Sequence, residues 1–250
     1  TNTTPNTIAV TYTYMMTANG CSNAQSIVVN VYPKPMLSTA LAPAQCDSTI
    51  FNYPPASLTP GTTFTWSRAV VTGISNLAGA GVGSPNETLK NITANDVVVP
   101  YVFTLSANGC TNNQTVNLTV HPTPKLSSSL TPGAICDSDM FNYVPVSNTA
   151  GASFAWHRPY IPGIYAVASS GTGNPNQQLI NSTYVVVDVI YTYTITANGC
   201  DNEQNVTVKV NPTPKLNGPF TATVCSGSPL NYVPTSYTPG ALYTWNRPSV

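Results

Sequence analysis

Charged residues are scarce in this sequence. Only 6% of its 250 residues are Asp, Glu, Lys or Arg, where about 25% is usual in globular proteins. The 8 basic and 8 acidic side chains balance, so the formal net charge is +0 at pH 7. Attraction of nucleic acid or of an anionic membrane surface needs concentrated positive charge. We therefore expect no nucleic-acid partner.

Long apolar runs and helical periodicity are also missing. No stretch provides the roughly 20 consecutive apolar residues of a membrane-spanning helix, which predicts no direct membrane insertion. No signal peptide begins at Thr1, but this says little, because the chain opens within one copy of a repeat and stops within another. We expect a segment of a longer protein. Disorder fits poorly, because 42% of the residues are hydrophobic and they fall into alternating runs.

Catalytic and metal-binding motifs are lacking as well. The two histidines, His121 and His157, stand at positions that the sister copies fill with other residue types. No nucleophile elbow or phosphate-binding loop occurs. Asp137-Ser138-Asp139 could contribute oxygens to a calcium site, but its counterparts Asp47-Ser48-Thr49 and Ser226-Gly227-Ser228 favour a turn-capping role. We expect no enzymatic activity, no metal and no cofactor.

What the sequence does have is a tandem repeat of about 90 residues. Its marker is an aromatic residue, a small residue, a tryptophan, a polar residue and an arginine, found at Phe64–Arg68, Phe154–Arg158 and Tyr243–Arg247. The spacing predicts the end of one repeat over 1–34, complete repeats over 35–123 and 124–213, and the start of another over 214–250. The core and repeat signature comprises Trp66, Trp156, Trp245, Arg68, Arg158 and Arg247.

Each repeat is typical of an antiparallel β-sandwich of about seven strands, resembling an immunoglobulin domain. Alternating β-branched and aromatic residues from Ile8 to Met16 predict a strand, and Asn19-Gly20 predicts a two-residue hairpin turn before a returning strand over Gln25–Val31. The Trp strand is expected to pack its ring between the two sheets. Each repeat closes with Pro-x-Pro, as at Pro122-Thr123-Pro124, which we interpret as a short, stiff joint.

The motifs together resemble a known family. Cys-Asp-Ser or Cys-Ser-Gly, Trp-x-Arg, Gly-Ile, Asn-Pro-Asn, Thr-Ala-Asn-Gly-Cys and a closing Pro-Thr-Pro look like the PKD-like repeats of Bacteroidota surface proteins. The resemblance covers essentially the whole chain. It implies an extracellular bacterial cell-surface location, the stalk of a very large adhesin, and an association with gliding motility and type IX secretion. It also implies Ser48 as an O-glycosylation acceptor. Classical PKD domains carry Trp-Asp-Phe-Gly-Asp-Gly, which this chain lacks.

Two cysteines per repeat predict disulfides in an oxidising compartment. The candidates are Cys21, Cys46, Cys110, Cys136, Cys200 and Cys225. One interpretation pairs them within repeats, as 46–110 and 136–200. The other follows from strand direction: the turn joining the first two strands and the turn joining the last two lie at opposite ends of a sandwich, roughly 30 Å apart. That distance is too long for a disulfide. This second interpretation bonds Cys46 to Cys200 across the joint and leaves the other four to partners outside this sequence.

The arginine of the signature allows two interpretations. It contacts a sugar or carboxylate ligand, or its stem packs on an aromatic ring while its head bonds a loop carbonyl; identical repetition favours the second. Asn-x-Ser/Thr triplets, the N-glycosylation pattern, occur at Asn86, Asn91, Asn113, Asn117, Asn181 and Asn205.

We interpret the chain as a spacer in a very long cell-surface protein, with neighbouring repeats of the same chain as its partners. Lateral self-association, or a surface or glycan ligand held by other regions, are further expectations. One alternative is an array of carbohydrate- or matrix-binding modules, which predicts a repeated exposed aromatic shelf with Trp66 and Trp156 partly accessible. Another is an accessory segment of a secreted enzyme.

Overall fold

Asn-Gly turns connect the two strands of the longest hairpins in the fold. In the computed structural model, which describes residues 1–249, Asn19 and Gly20 have φ angles of 51° and 84°. Two left-handed central residues are the mark of the type I′ turn, and Asn108-Gly109 and Asn198-Gly199 repeat it. Because a two-residue turn pairs its flanking residues directly, as in Ala18↔Cys21, the returning strands begin earlier than their alternation alone predicted.

The chain divides into two compact units, Thr1–Thr123 and Pro124–Val250. The strands of the first unit are β1 Ile8–Ala18, β2 Cys21–Val31, β3 Ala44–Cys46, β4 Ile50–Asn52, β5 Thr63–Arg68, β6 Gly79–Val82, β7 Asn86–Thr88, β8 Val97–Ala107 and β9 Cys110–His121. Those of the second are β10 Ile135–Cys136, β11 Met140–Phe141, β12 Ser153–Arg158, β13 Ser169–Thr172, β14 Gln177–Gln178, β15 Val187–Ala197 and β16 Cys200–Asn211.

Each unit contains a seven-stranded sandwich with the same topology. In the first, a five-stranded sheet of order β3-β9-β8-β5-β6 faces the two-stranded sheet β4-β7. In the second, β10-β16-β15-β12-β13 faces β11-β14. The first strand pairs with the last in parallel, through Ala44↔Thr119 in one unit and Ile135↔Val210 in the other. All other pairs named here are antiparallel.

The two cores are built from the inward residues of these strands. Along β8 every second side chain, from Val99 to Leu105, is fully buried, as the period of two requires. Aromatic rings bridge the sheets: Phe51 lies 5.0 Å from Tyr101, and Tyr53 lies 5.4 Å from Phe103, between ring centroids. The second unit repeats these contacts at Phe141–Tyr191 and Tyr143–Tyr193. Each core therefore closes within its own unit.

Two parts of the chain lie outside these sandwiches. Strands β1 and β2 form a two-stranded sheet by themselves, and most of their residues are exposed. Residues 212–249 form no strand, apart from the isolated bridge Leu216↔Ser236. A strand needs a partner for its backbone groups, and within the described residues nothing supplies one there. No helix among residues 1–249 has the length and apolar character to cross a membrane.

Candidate functional site

The repeated tryptophan and arginine lie in the sandwich cores. Strand β5 alternates exposed and inward positions, and this places the Trp66 and Arg68 side chains on the inner face. Trp66 is 9% exposed and Arg68 is 2% exposed. In the second unit Trp156 is 6% and Arg158 is 2% exposed. A side chain this buried offers little surface to a ligand.

A glycine on the neighbouring strand makes room for each indole ring. A Cβ atom on Gly81 would lie 2.9 Å from Cζ2 of Trp66, and one on Gly171 would lie 2.8 Å from Cζ2 of Trp156. Such distances are closer than carbon atoms approach without strain. Sequence reasoning did not identify these glycines, although both stand in equivalent positions of the repeat. The indole N–H groups have no hydrogen-bond partner within the described residues.

In the first unit the arginine is held by a carboxylate. Arg68 donates from Nε to Oε2 of Glu87 (3.0 Å) and from Nη2 to Oε1 of the same carboxylate (2.8 Å). Nη2 also donates to the Leu77 carbonyl (2.7 Å). The Tyr101 hydroxyl donates to Oε2 of Glu87 (2.7 Å), and the guanidinium lies 5.9 Å from the Tyr101 ring centroid. The charge of the buried guanidinium is therefore balanced by Glu87, and its N–H groups have hydrogen-bond acceptors.

The second unit keeps the network and removes the negative charge. Gln177 replaces the glutamate, and its Oε1 accepts from Arg158 Nε (3.1 Å) and from the Tyr191 hydroxyl (2.8 Å). Arg158 Nη2 donates to the Val167 carbonyl (2.6 Å), and Nη1 to the Pro159 carbonyl (3.1 Å). The position therefore tolerates loss of the carboxylate, which a required acid catalyst or ligand would not.

The pKa shifts follow from these contacts. Burial acts to raise the pKa of Glu87, but the hydrogen bonds from Arg68 and Tyr101 outweigh it, so the pKa is lowered. The hydrogen bond to Glu87 raises the pKa of Arg68. Burial raises the pKa of Tyr191 to about 12 and also raises that of Tyr193. All these shifts favour the ionisation state already present at neutral pH.

An aspartate anchors the end of each sandwich. In the first unit Asp47 accepts from the Asn91 backbone N–H at Oδ1 (2.7 Å) and from the Thr123 hydroxyl at Oδ2 (2.8 Å). In the second unit Asp137 accepts from Asn181 N–H (2.8 Å) and the Thr213 hydroxyl (2.7 Å). The Thr213 hydrogen bond lowers the pKa of Asp137. We call this arrangement the exit clasp.

The asparagine beside each clasp is a structural residue. The Asn91 side-chain amide donates to the carbonyls of Asn95 (2.8 Å) and Val120 (2.9 Å), and Asn181 repeats this with Val185 and Val210. Both asparagines are buried. The N-glycosylation triplets at these two positions are therefore unusable in the folded units, because a sugar on the nitrogen would displace a core hydrogen bond.

Side chains near the hairpin turn hold the chain where it enters each sandwich. Asn112 Nδ2 donates to the Pro35 carbonyl (2.8 Å), and the Gln114 side chain accepts from Leu37 N–H (2.5 Å). In the second unit the corresponding bonds are Asn202 to the Pro124 carbonyl (3.0 Å) and Leu126 N–H to Gln204 (2.6 Å). We call these contacts the entry grip.

The cysteines divide into bonded and free. Cys46 in the first unit and Cys200 in the second are disulfide-bonded. Free thiols are found at Cys21, Cys110, Cys136 and Cys225. Neither intra-repeat pair, 46–110 or 136–200, is therefore formed. Cys46 adjoins the exit clasp of its unit, and Cys200 follows the hairpin turn beside the entry grip of its own.

The remaining predicted residues lie apart from one another. Ser48 is exposed with φ 60°, and Ser138 has φ 70°; Gly227 takes the equivalent place with φ 85°, because the turn needs a left-handed residue. His121 contacts Asp96 at 2.8 Å. Trp245, predicted as a core residue, is 89% exposed, because no strand within residues 1–249 covers it. Arg247 is exposed too.

Comparison with known proteins identifies the type of domain. Residues 133–214 match the family model of the PKD-like domain. No curated protein matches the chain. Among solved structures, the titin domains I67–I69 are 11% identical to this chain; the alignment covers 82% of this chain and 75% of the titin chain, with a TM-score of 0.36. Mouse protocadherin-24 EC1–3 is 12% identical over 84% and 80%, with a TM-score of 0.31. The chain is all-β, with immunoglobulin-like sandwich units.

Proposed function

We propose that this chain is a structural spacer in a large secreted bacterial cell-surface protein, an adhesin or filament that holds a distal adhesive region away from the cell. Its partners are then neighbouring repeats of the same chain, and a gliding or adhesion role follows the resemblance to Bacteroidota stalk repeats. Immunoglobulin-like and PKD-like domains commonly serve as extracellular structural or adhesion modules, and such domains are typically non-catalytic. Disulfides accord with an extracellular location.

The observation that carries the proposal is the anchoring of the joint. Thr123 is held by the exit clasp of the first unit through Asp47, and the next residue, Pro124, is held by the entry grip of the second through Asn202. No unanchored residue lies between them. Pro122 and Pro124 also restrict the backbone. We propose that chain anchored in this way has no free length to extend under tension.

The disulfide across the joint is part of this proposal. Cys46 and Cys200 are the bonded cysteines among the described residues, and each adjoins an anchored end of the same Pro-Thr-Pro segment. We expect them to bond to each other, so that tension cannot extend the chain between them. Peptide mapping without reduction checks this: a fragment containing both cysteines is expected, and a Cys46 peptide bonded elsewhere would contradict it.

The carbohydrate-binding alternative loses its main support. It needs Trp66 and Trp156 partly accessible, and both rings are buried. The large exposed aromatics Tyr160 and Tyr165 stand where the first unit has Val70 and Ser75, so they form no repeated shelf. A glycan and matrix-protein array probed with the whole chain tests the choice. A spacer is expected to bind none of the arrayed glycans or matrix proteins. Saturable binding that Y160A or Y165A removes would overturn the spacer proposal.

A further inference from the structure

The joint that follows the second sandwich contains an aromatic contact. Tyr184 lies in the loop before β15, and Tyr237 lies beyond the Pro212-Thr213-Pro214 segment, in a turn of the next repeat. Their ring centroids are 4.8 Å apart and the ring planes differ by 24°. Stacked aromatic pairs attract one another at this distance. The two rings therefore connect the second sandwich to the chain beyond its joint.

The loop that carries Tyr184 has the same conformation in three copies of the repeat. In each copy an asparagine side chain accepts from the backbone N–H of a threonine two residues on, at 2.9 Å; the pairs are Asn2 and Thr4, Asn91 and Thr93, and Asn181 and Thr183. The asparagine amide also donates to the carbonyl four residues on. We call this the exit loop. The residue after its threonine, which is Pro5, Ala94 or Tyr184, has a fixed place in it.

The turn that carries Tyr237 is also formed three times. An isolated bridge joins a leucine to a serine, as Leu37↔Ser57, Leu126↔Ser147 and Leu216↔Ser236. The serine hydroxyl accepts from the backbone N–H two residues on, at 3.0–3.2 Å. We call this the entry turn. Because these contacts are local, the entry turn near Tyr237 forms as it does in the complete repeats. The residue after its serine is Leu58, Asn148 or Tyr237.

The exit loop and the entry turn also lie together in the first unit. Pro5 and Leu58, the equivalents of Tyr184 and Tyr237, line one cavity of about 480 Å³. At the joint between the two units the equivalent residues are Ala94 and Asn148, and neither has a ring that could stack. The residue pair therefore changes from joint to joint, while the loop and the turn that carry it stay the same.

We infer that the exit loop of the second sandwich is a docking surface for the entry turn of the repeat that follows, and that the residue pair at these two positions sets how firmly the joint is held. The inference rests on the proposed spacer function, to which it adds a variation in stiffness along the chain. Tyr184 and Tyr237 hold their joint by stacking. A joint with alanine and asparagine at these positions has no such contact and is held less firmly.

Hydrogen exchange of the whole chain tests the contact from the far side of the joint. The Asn217 N–H donates to the Thr235 carbonyl (2.8 Å) beside the entry turn, so its exchange reports the opening of that turn. Y184A lies in the sandwich, yet it should make the Asn217 amide exchange about 2- to 10-fold faster, the factor that an aromatic pair contributes. Y184F keeps the ring and should exchange like the parent chain. The control is Y165A, because Tyr165 is 80% exposed on the same sandwich.

A double substitution tests whether both rings act together. Y237N should accelerate the Asn217 amide as much as Y184A does. The double variant Y184A/Y237N carries the residue pair of the joint between the units, and it should exchange no faster than either single variant, because the stack needs both rings. A peptide that contains Asn217 and ends before Tyr237 has the same sequence in every variant, so the rates are compared directly.

Three results would overturn the inference. The first is an Asn217 amide that exchanges equally in Y184A and the parent chain. The second is equal acceleration by Y184A and by Y184F or Y165A, which would indicate a general loosening of the sandwich. The third is a double variant whose acceleration is the product of the single ones. The spacer proposal is tested separately by the glycan and matrix-protein array, so the two can fail independently.

Discussion

The buried arginine network occurs in two versions, one with a glutamate in the first unit and one with a glutamine in the second. Replacing Glu87 by Gln gives the first unit the side chain that the second already has. The glutamate accepts three hydrogen bonds, two from Arg68 and one from Tyr101. The glutamine at 177 accepts two. E87Q therefore loses one charge-assisted bond and the charge pairing, and keeps the remaining geometry.

The expected magnitude follows from that difference. A hydrogen bond to a charged group contributes about 1.5–3 kcal/mol, and part of this is offset because a neutral side chain is cheaper to desolvate. E87Q should destabilise the first unit by about 1–2 kcal/mol. E87A removes every acceptor and leaves a buried cation unpaired, so about 3–5 kcal/mol is expected. The reciprocal change Q177E should stabilise the second unit or leave it unaltered.

Hydrogen exchange resolved by peptide measures each unit separately within one chain. Amides around Tyr101 should exchange faster in E87Q, while those around Tyr191 stay unchanged and serve as the internal control. The pH dependence has a definite sign. The pKa of Glu87 is lowered in the fold, so its contribution is present above about pH 4.5 and is lost as pH falls through the lowered pKa. E87Q should remove this acid dependence from the first unit. Equal protection in E87A and the parent chain would refute the network's role.

Three further predictions concern packing, ionisation and the joint. G81A should destabilise the first unit by about 1–3 kcal/mol, because the new methyl group meets the Trp66 ring. The control G133A places its methyl group in open space and should change the free energy of unfolding by less than about 1 kcal/mol. Equal effects of the two substitutions would contradict the packing of Trp66 against Gly81. Absorbance titration should show one tyrosine ionising near pH 12, which Y191F abolishes, and stability should be lost as pH rises above about 10; titration of all tyrosines near pH 10 would refute the burial. T123V, which removes the clasp hydroxyl, should cost about 0.5–1.5 kcal/mol and widen the distribution of inter-unit distances in spin-label measurements; an unchanged distribution would show that the clasp does not stiffen the joint.

The sandwich was predictable because several local signals agree. Asn-Gly turns, alternating strands and a recurring Trp-x-Arg each indicate the same topology, and a repeat states each signal more than once. The predicted burial of Trp66 depended on this agreement. Its failure at Trp245 has a simple physical cause, since a signature residue is buried only where the partner strands are present.

The polar interior was not predictable from the same patterns. Glu87 and Gln177 stand at equivalent positions of a repeated Pro-Asn-x-x-Leu-x-Asn stretch, but their shared role depends on contacts with residues on other strands. Asn91 fits a glycosylation triplet, yet its side-chain amide donates hydrogen bonds to two backbone carbonyls inside the unit. Gly81 is needed only because a ring from the neighbouring strand lies over it. Such roles follow from tertiary contacts, which spacing alone does not define.

Pulling single chains from both ends, after reduction of the disulfide, tests most directly whether each sandwich bears load by itself. Self-contained, load-bearing sandwiches predict two separate unfolding events. Each should release roughly 300 Å of chain, the extended length of about 90 residues at about 3.3–3.6 Å per residue. A single event that releases both lengths together, or a smooth extension without force peaks, would contradict the claim that each repeat carries load by itself.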